Sequence, residues 1–186
     1  GNPHGAPVGR SQWTLKVAAT AKVIAGNTTR DLVAGTYNLS YEPDKGFHFE
    51  PSDTSGEALD VTGTNVTKLE VKAPAGGFIE LRYPTSGYRQ YEGILEFQGG
   101  DDGSIKVWNK VNLRQYLMGV VPREMFASWG SEALKAQAVA ARTYAAKQKY
   151  GFDVDLVDST YDQVFAGRYT DSSYRDKIAG VVAATD

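Results

Sequence analysis

The chain has 186 residues and a formal net charge of −2, with 41% hydrophobic and 23% charged residues. That is enough to bury a core in one compact domain or a domain with a small companion. The near-neutral charge removes the electrostatic grounds for nucleic acid or an anionic membrane as main partner. No cysteine is present, which excludes disulfides, thiolate metal sites and thiol catalysis. No apolar run approaches the roughly 20 residues of a membrane helix. The first residue is Gly1 rather than Met, so the chain reads as a processed or trimmed product.

Residues 1–12, with three Gly and two Pro, predict a flexible lead-in. Trp13 to Ile24 alternates as a strand, with Trp13, Leu15 and Val17 on one face. Asn27-Thr-Thr reads as a turn. Short strands are expected at Gly35–Tyr41, Phe47–Glu50, Val66–Lys72 and Phe78–Tyr83, bounded by clusters such as Glu42-Pro-Asp-Lys-Gly46 and Pro74-Ala-Gly-Gly77. Tyr91–Gln98 and Ser104–Trp108 flank Gly99-Gly-Asp-Asp-Gly103, a hairpin-type loop. This spacing predicts an antiparallel sheet or a small barrel. From Leu113 the period turns helical, with Leu113, Tyr116 and Leu117 on one face. Pro122 reads as a break. A long helix follows from Ser131, its expected N-cap, to about Lys149, uninterrupted by Gly or Pro. Asp153–Val157 reads as a strand and Ser173–Ala184 as a last helix. Strands first and helices later give an α+β fold, with a β-rich N-terminal part followed by a helical segment.

The stretch from Asn112 to Tyr144 carries the strongest signal. Leu113, Tyr116, Leu117, Gly119, Val120, Val121, Pro122, Glu124, Met125, Trp129 and the run from Glu132 to Tyr144 stand in the order and spacing of a known motif. It resembles the core of the stage II sporulation protein D / LytB family of cell-wall proteins. Tyr91-Glu-Gly93 is similar to that family's short strand upstream. Asp158 through Gln163, Val164, Phe165 and Gly167 is similar to its Asp-x-Thr…Gln-Val-Tyr-x-Gly segment, with Phe165 in place of Tyr. Val182 to Thr185 looks like the start of a Val-x-x-Thr-x-Gly element whose Gly lies beyond Asp186. The division implied is a lead-in at 1–12, a β-rich accessory region at 13–88 and a SpoIID/LytB-like domain at 89–186 that continues further in the natural chain. An open sheet edge or exposed apolar patch is then expected near Ile178–Val182, or a second polypeptide covering it.

The resemblance implies a sporulation-type lytic transglycosylase that cuts peptidoglycan glycan strands outside the cytoplasm, with Glu124 as its acid/base. Ordinary glycoside hydrolysis uses two carboxylates. Transglycosylation uses one, because the 6-hydroxyl of the N-acetylmuramoyl ring is the nucleophile and a 1,6-anhydro ring is the product. A carboxyl in that role is best held against apolar surface, and Met125, Phe126 and Trp129 are expected to provide it. Read from the residues alone, Glu124 is more simply a capping carboxylate just before the long helix.

Lys135 and Arg142 share one face of the long helix, as do Gln137 and Tyr144 on another. With Thr143 and Gln163 they are the candidate substrate-binding residues. Arg142 and Lys135 suit sugar hydroxyls, an acetamido carbonyl or Glu124, against the alternative of a solvated basic face. Gln137 and Tyr144 suit glycan or buried backbone. His4 and His48 assemble no triad or metal cluster. Where some family members carry a Cys/His pair, this chain reads Thr160-Tyr161-Asp162, so no zinc and no cofactor is expected. Asp158 and Asp162 read as loop acids, with a cation or Arg142 as alternative partners. The competing function within the same family is a non-cutting glycan binder that enhances a partner cell-wall amidase.

Overall fold

The computed structural model describes residues 9–63, 65–148 and 156–186. The chain divides into two compact units, one of Pro7–Lys110 and one that includes Val111–Asp186. The first is all β. Its strands are β1 (Gln12–Val17), β2 (Ala21–Ala25), β3 (Thr28–Leu32), β4 (Gly35–Glu42), β5 (Gly46–Pro51), β6 (Leu59–Thr62), β7 (Lys68–Lys72), β8 (Ile79–Tyr83), β9 (Gly87–Tyr91), β10 (Ile94–Gly99) and β11 (Ile105–Lys110). They form a six-stranded sheet ordered β6-β5-β4-β1-β8-β9 and a five-stranded sheet ordered β11-β10-β7-β2-β3. Every described pairing is antiparallel.

Alternation puts Leu15, Val17, Tyr37, Leu39, Phe47 and Phe49 inward from one sheet and Val23, Leu69, Val71, Leu95 and Phe97 from the other, all buried. The sheets meet closely. Trp13 Nε1 donates to the Ile105 carbonyl at 3.1 Å. A Cβ at position 99 would lie 2.3 Å from the Tyr41 ring, so only glycine fits there.

The stretch expected as one strand from Trp13 to Ile24 is two, β1 and β2, in different sheets. The residues between them, Ala18-Ala-Thr20, bend the chain from one layer to the other. Strands β3, β6 and β9 have no counterpart in the sequence reading. Each is a sheet edge and each carries too few buried positions to show alternation.

The second unit contains α1 (Leu113–Glu124), α2 (Ser131–Lys147) and α3 (Ser172–Ala183), each packed on the other two. Asn112 caps α1, its Oδ1 accepting from the Gln115 N–H at 2.8 Å. Pro122 does not break the helix. It sits in the last turn, where only one further turn of backbone bonding remains to be disturbed, and α1 runs on to Glu124. The cap of α2 is Gly130, without a side-chain bond, and Ser131 is already helical. Leu113 is 42% exposed although it begins the apolar period of α1. Ile178, Val181 and Val182 are buried among the helices, so no exposed apolar patch lies there. The expected strand at Asp153–Val157 falls mostly outside the described residues.

One charge is buried in the β unit. Glu96 is 4% exposed, and its carboxylate pairs with Lys68 at 2.7 Å and with Lys110. Burial pushes the carboxyl up, but the hydrogen bonds and charges of Lys110 and Lys68 outweigh it and hold the group below its ordinary value. A depressed carboxyl contributes stability above its unfolded value, about 4.3, and loses it as pH falls through the folded one. Glu96→Gln is expected to cost about 2 kcal/mol at neutral pH and to flatten the acid limb of the stability–pH curve. Urea unfolding across pH checks both. An acid limb of unchanged slope would assign the acid sensitivity to other groups.

Candidate functional site

The helical unit is organised where the segment 156–167 lies along α1. This segment is held by its own acids. Asp158 Oδ1 accepts from the Phe165 N–H at 2.8 Å and Asp162 Oδ2 from the Val157 N–H at 2.7 Å. Carboxylates that accept backbone N–H bonds in this way close a loop on itself. Neither acid meets Arg142 in any described ion pair.

Three contacts fasten the loop to α1. The Phe165 ring lies 5.2 Å from that of Tyr116, tilted by 34°, and over Gly119. A Cβ at 119 would come within 2.5 Å of Phe165 Cε2 and 2.7 Å of the Gly167 carbonyl. The Tyr116 hydroxyl donates to Gln163 Oε1 at 3.0 Å. Glu124 Oε1 accepts from the Val164 N–H at 2.8 Å. Tyr144 reaches in from α2, its hydroxyl donating to Asp162 Oδ1 at 2.7 Å.

Tyr116 is the most perturbed group of this region. Burial pushes its phenol well up, and the charges of Asp162, Asp158 and Glu124 and the neighbouring Tyr144 add to the effect. The phenol is therefore a permanent donor, suited to fixing Gln163 and not to proton transfer at neutral pH. The loop thus gathers Glu124, Gln163, Asp158, Asp162, Tyr116 and Tyr144 into one neighbourhood.

Glu124 itself is exposed. Of the three residues expected to cover it, Phe126 and Trp129 turn outward, 72% and 47% exposed, and Met125 is half-buried. Glu124 is the last residue of α1, where the helix dipole disfavours a negative charge. The Val164 N–H supplies the compensating donor. Among the described residues no hydrogen bond to Oε2 is made, so one oxygen of this exposed carboxylate is anchored and the other is not.

The candidate binding residues divide. Gln163 is buried and Tyr144 half-buried, both in the network just described. Gln137 is half-buried on the α2 face that carries Leu134, Ala141 and Tyr144. Arg142 points elsewhere. Its guanidinium donates to the Thr185 and Val182 carbonyls and pairs with Asp186 at 2.5 Å. Thr143 donates back to the Val139 carbonyl at 2.8 Å within its own helix. Lys135 pairs with Glu132 at 2.8 Å, one turn away on the same surface.

Two residues with functional potential escaped the sequence reading. Tyr116 stood in the motif, but only as an apolar helix position. Lys177 gave no signal, since its partners are the carbonyls of Ala127 and Trp129, about 50 residues away in sequence.

Residues 101–186 match the family model of SpoIID, stage II sporulation protein. Over 85 residues the chain is 46% identical to an uncharacterized protein of Brachyspira hyodysenteriae, a match covering 42% of this chain and 22% of the relative. Over 51 residues it is 57% identical to a protein of Bacillus subtilis named Amidase enhancer, covering 27% of this chain and 7% of the relative. The chain thus spans less than a quarter of the length of these curated relatives. No solved structure matches it. The C-terminal part of the chain, residues 101–186, belongs to the stage II sporulation protein D / LytB family.

The close approach at Gly119 inverts a familiar substitution. Gly to Ala inside a helix ordinarily stabilises by about 1 kcal/mol. Here Gly119→Ala is expected to destabilise by about 1–3 kcal/mol, because the Phe165 ring must move. Thermal or urea unfolding of the two proteins reads the sign directly, and a more stable Gly119→Ala chain would show that the loop does not depend on this contact.

Proposed function

We propose that this SpoIID-family domain is a peptidoglycan lytic transglycosylase acting outside the cytoplasm, with Glu124 as its single acid/base. The supporting observation is the exposed carboxylate at the end of α1, with one oxygen fixed by the Val164 N–H at 2.8 Å. In the first half of the reaction, protonated Glu124 gives its proton to the glycosidic oxygen. The C1–O bond to N-acetylglucosamine breaks, and that sugar leaves with a free 4-hydroxyl. The 6-hydroxyl of the N-acetylmuramoyl residue then closes on C1 and its proton returns to Glu124. Water is not consumed, and the carboxyl ends as it began.

Under this reading Gln163 and Tyr144 orient the loop that anchors Glu124, and Gln137 is the α2 residue kept as a glycan contact. Arg142, Thr143 and Lys135 have the intramolecular partners described above, and their contribution to binding is indirect. The second reading is a glycan-binding enhancer of a cell-wall amidase that cuts nothing itself. It is favoured by the name of the Bacillus subtilis relative, Amidase enhancer.

Glu124→Gln separates the two. It keeps the side-chain shape and removes the proton, so release of 1,6-anhydro ends from purified glycan strands should fall by about 10²–10⁴-fold. Circular dichroism should be unchanged. Cleavage near the parental rate would remove Glu124 from the chemistry. If the parent makes no 1,6-anhydro ends but raises amidase turnover, the enhancer reading stands.

A further inference from the structure

We infer that Phe126 and Trp129 form a sugar-stacking platform for a β-1,4-linked N-acetylhexosamine chain, and that Lys177 is the positioning residue that holds it. This rests on the glycan-binding part of the function proposed above.

Both rings are large, apolar and turned to solvent, which a folded domain seldom tolerates without a ligand to cover them. Their centroids are 5.9 Å apart and their planes are inclined by 48°. They follow Glu124 by two and five residues, so the turn that carries them leads directly from the proposed acid/base. Pyranose rings offer apolar C–H faces to such surfaces, and the acetamido methyl groups add to that area.

The turn is built to keep the rings outward. The Trp129 N–H donates to the Phe126 carbonyl at 3.0 Å. Ala127, between them, is buried and pins the segment from beneath. Lys177 then arrives from α3. Its ammonium donates to the Ala127 carbonyl at 3.0 Å and to the Trp129 carbonyl. No ion pair to Lys177 is made by the described residues; besides the two carbonyls, its ammonium lies over the Tyr174 ring of its own helix, 5.9 Å from the centroid. An ammonium that bridges two carbonyls of the six-residue connection between α1 and α2 removes freedom that ligand binding would otherwise have to freeze.

The test uses the full 186-residue chain carrying Glu124→Gln, so that ligand is not consumed, with chitohexaose as the probe in calorimetric titration. Phe126→Ala and Trp129→Ala should each weaken binding roughly tenfold, and Trp129→Phe should retain most of it. Lys177→Met should weaken binding several-fold, and Lys177→Arg, which keeps N–H donors, should restore it. With Glu124 present, Lys177→Met should raise KM for glycan strands and change kcat little. Removing exposed rings leaves the core untouched, so the platform is tested even where a Lys177 variant folds poorly.

Parental binding by both alanine variants, or no binding of chitohexaose by the Glu124→Gln chain, would overturn the platform. Parental binding by Lys177→Met would overturn the tether. Ring-dependent binding without any 1,6-anhydro product leaves this inference standing and removes the transglycosylase. Cleavage that ignores both rings does the reverse.

Discussion

The closure of the 156–167 loop on α1 is the constraint on which the candidate site depends. Phe165 can approach the helix only because position 119 has no side chain. That approach sets the height of the loop, so that Gln163 reaches the Tyr116 hydroxyl and the Val164 N–H reaches Glu124. The energetics of the last contact are nearly balanced. A carboxylate at a helix C-terminus costs about 0.3–1 kcal/mol. A hydrogen bond to a charged acceptor contributes about 1.5–3 kcal/mol when sheltered, and less at a group as exposed as Glu124. Little net stability remains. What the contact provides is orientation, with one oxygen fixed by the loop. A solvated glutamate on a free helix end would sample many rotamers. This one is aimed.

Much of the β unit was legible because a buried strand announces itself. In β1 and β4 alternate residues are buried, and the same alternation is written in their side chains. Where the signal failed, the sheet edge explains it. Thr28–Leu32 is polar because four of its five residues face water, and Gly87–Tyr91 buries only Tyr91. Such strands are specified by the partner they pair with and not by a core they fill. The fourth edge, β11, was found for a different reason: the glycine-rich loop before it marks a hairpin whatever the strand contains.

The site was legible in its members and not in its orientation. Glu124 emerged from a family motif, and its apolar neighbours suggested cover. In three dimensions the neighbours face out, because the turn that carries them is fixed by Ala127 below and by a lysine from α3. No local pattern encodes that. The partners of Arg142 were not legible for a related reason. On a helical projection it is one more surface cation, free to meet a sugar. Its actual partners are the last carbonyls of α3, a requirement visible only once the helix end is seen.

That helix end ties the two halves of the proposed site together. Helix α3 has no glycine in the left-handed position after it and no basic residue in its last turn. Locally, the Val182 carbonyl accepts from the Thr185 N–H and hydroxyl, and the Gly180 carbonyl from the Ala184 N–H. Arg142 adds to these from α2, donating to the carbonyls of Val182 and Thr185 and placing a cation at the negative end of the dipole. Asp186 shares the same guanidinium. With its C-terminal end fixed to α2, α3 presents Lys177 near its middle to the turn after α1. Two cations thus tie α3 to its neighbours, Arg142 of α2 gripping its end and Lys177 reaching from it to the backbone of the turn after α1. A substitution at Arg142 would reach the platform through α3 without touching it.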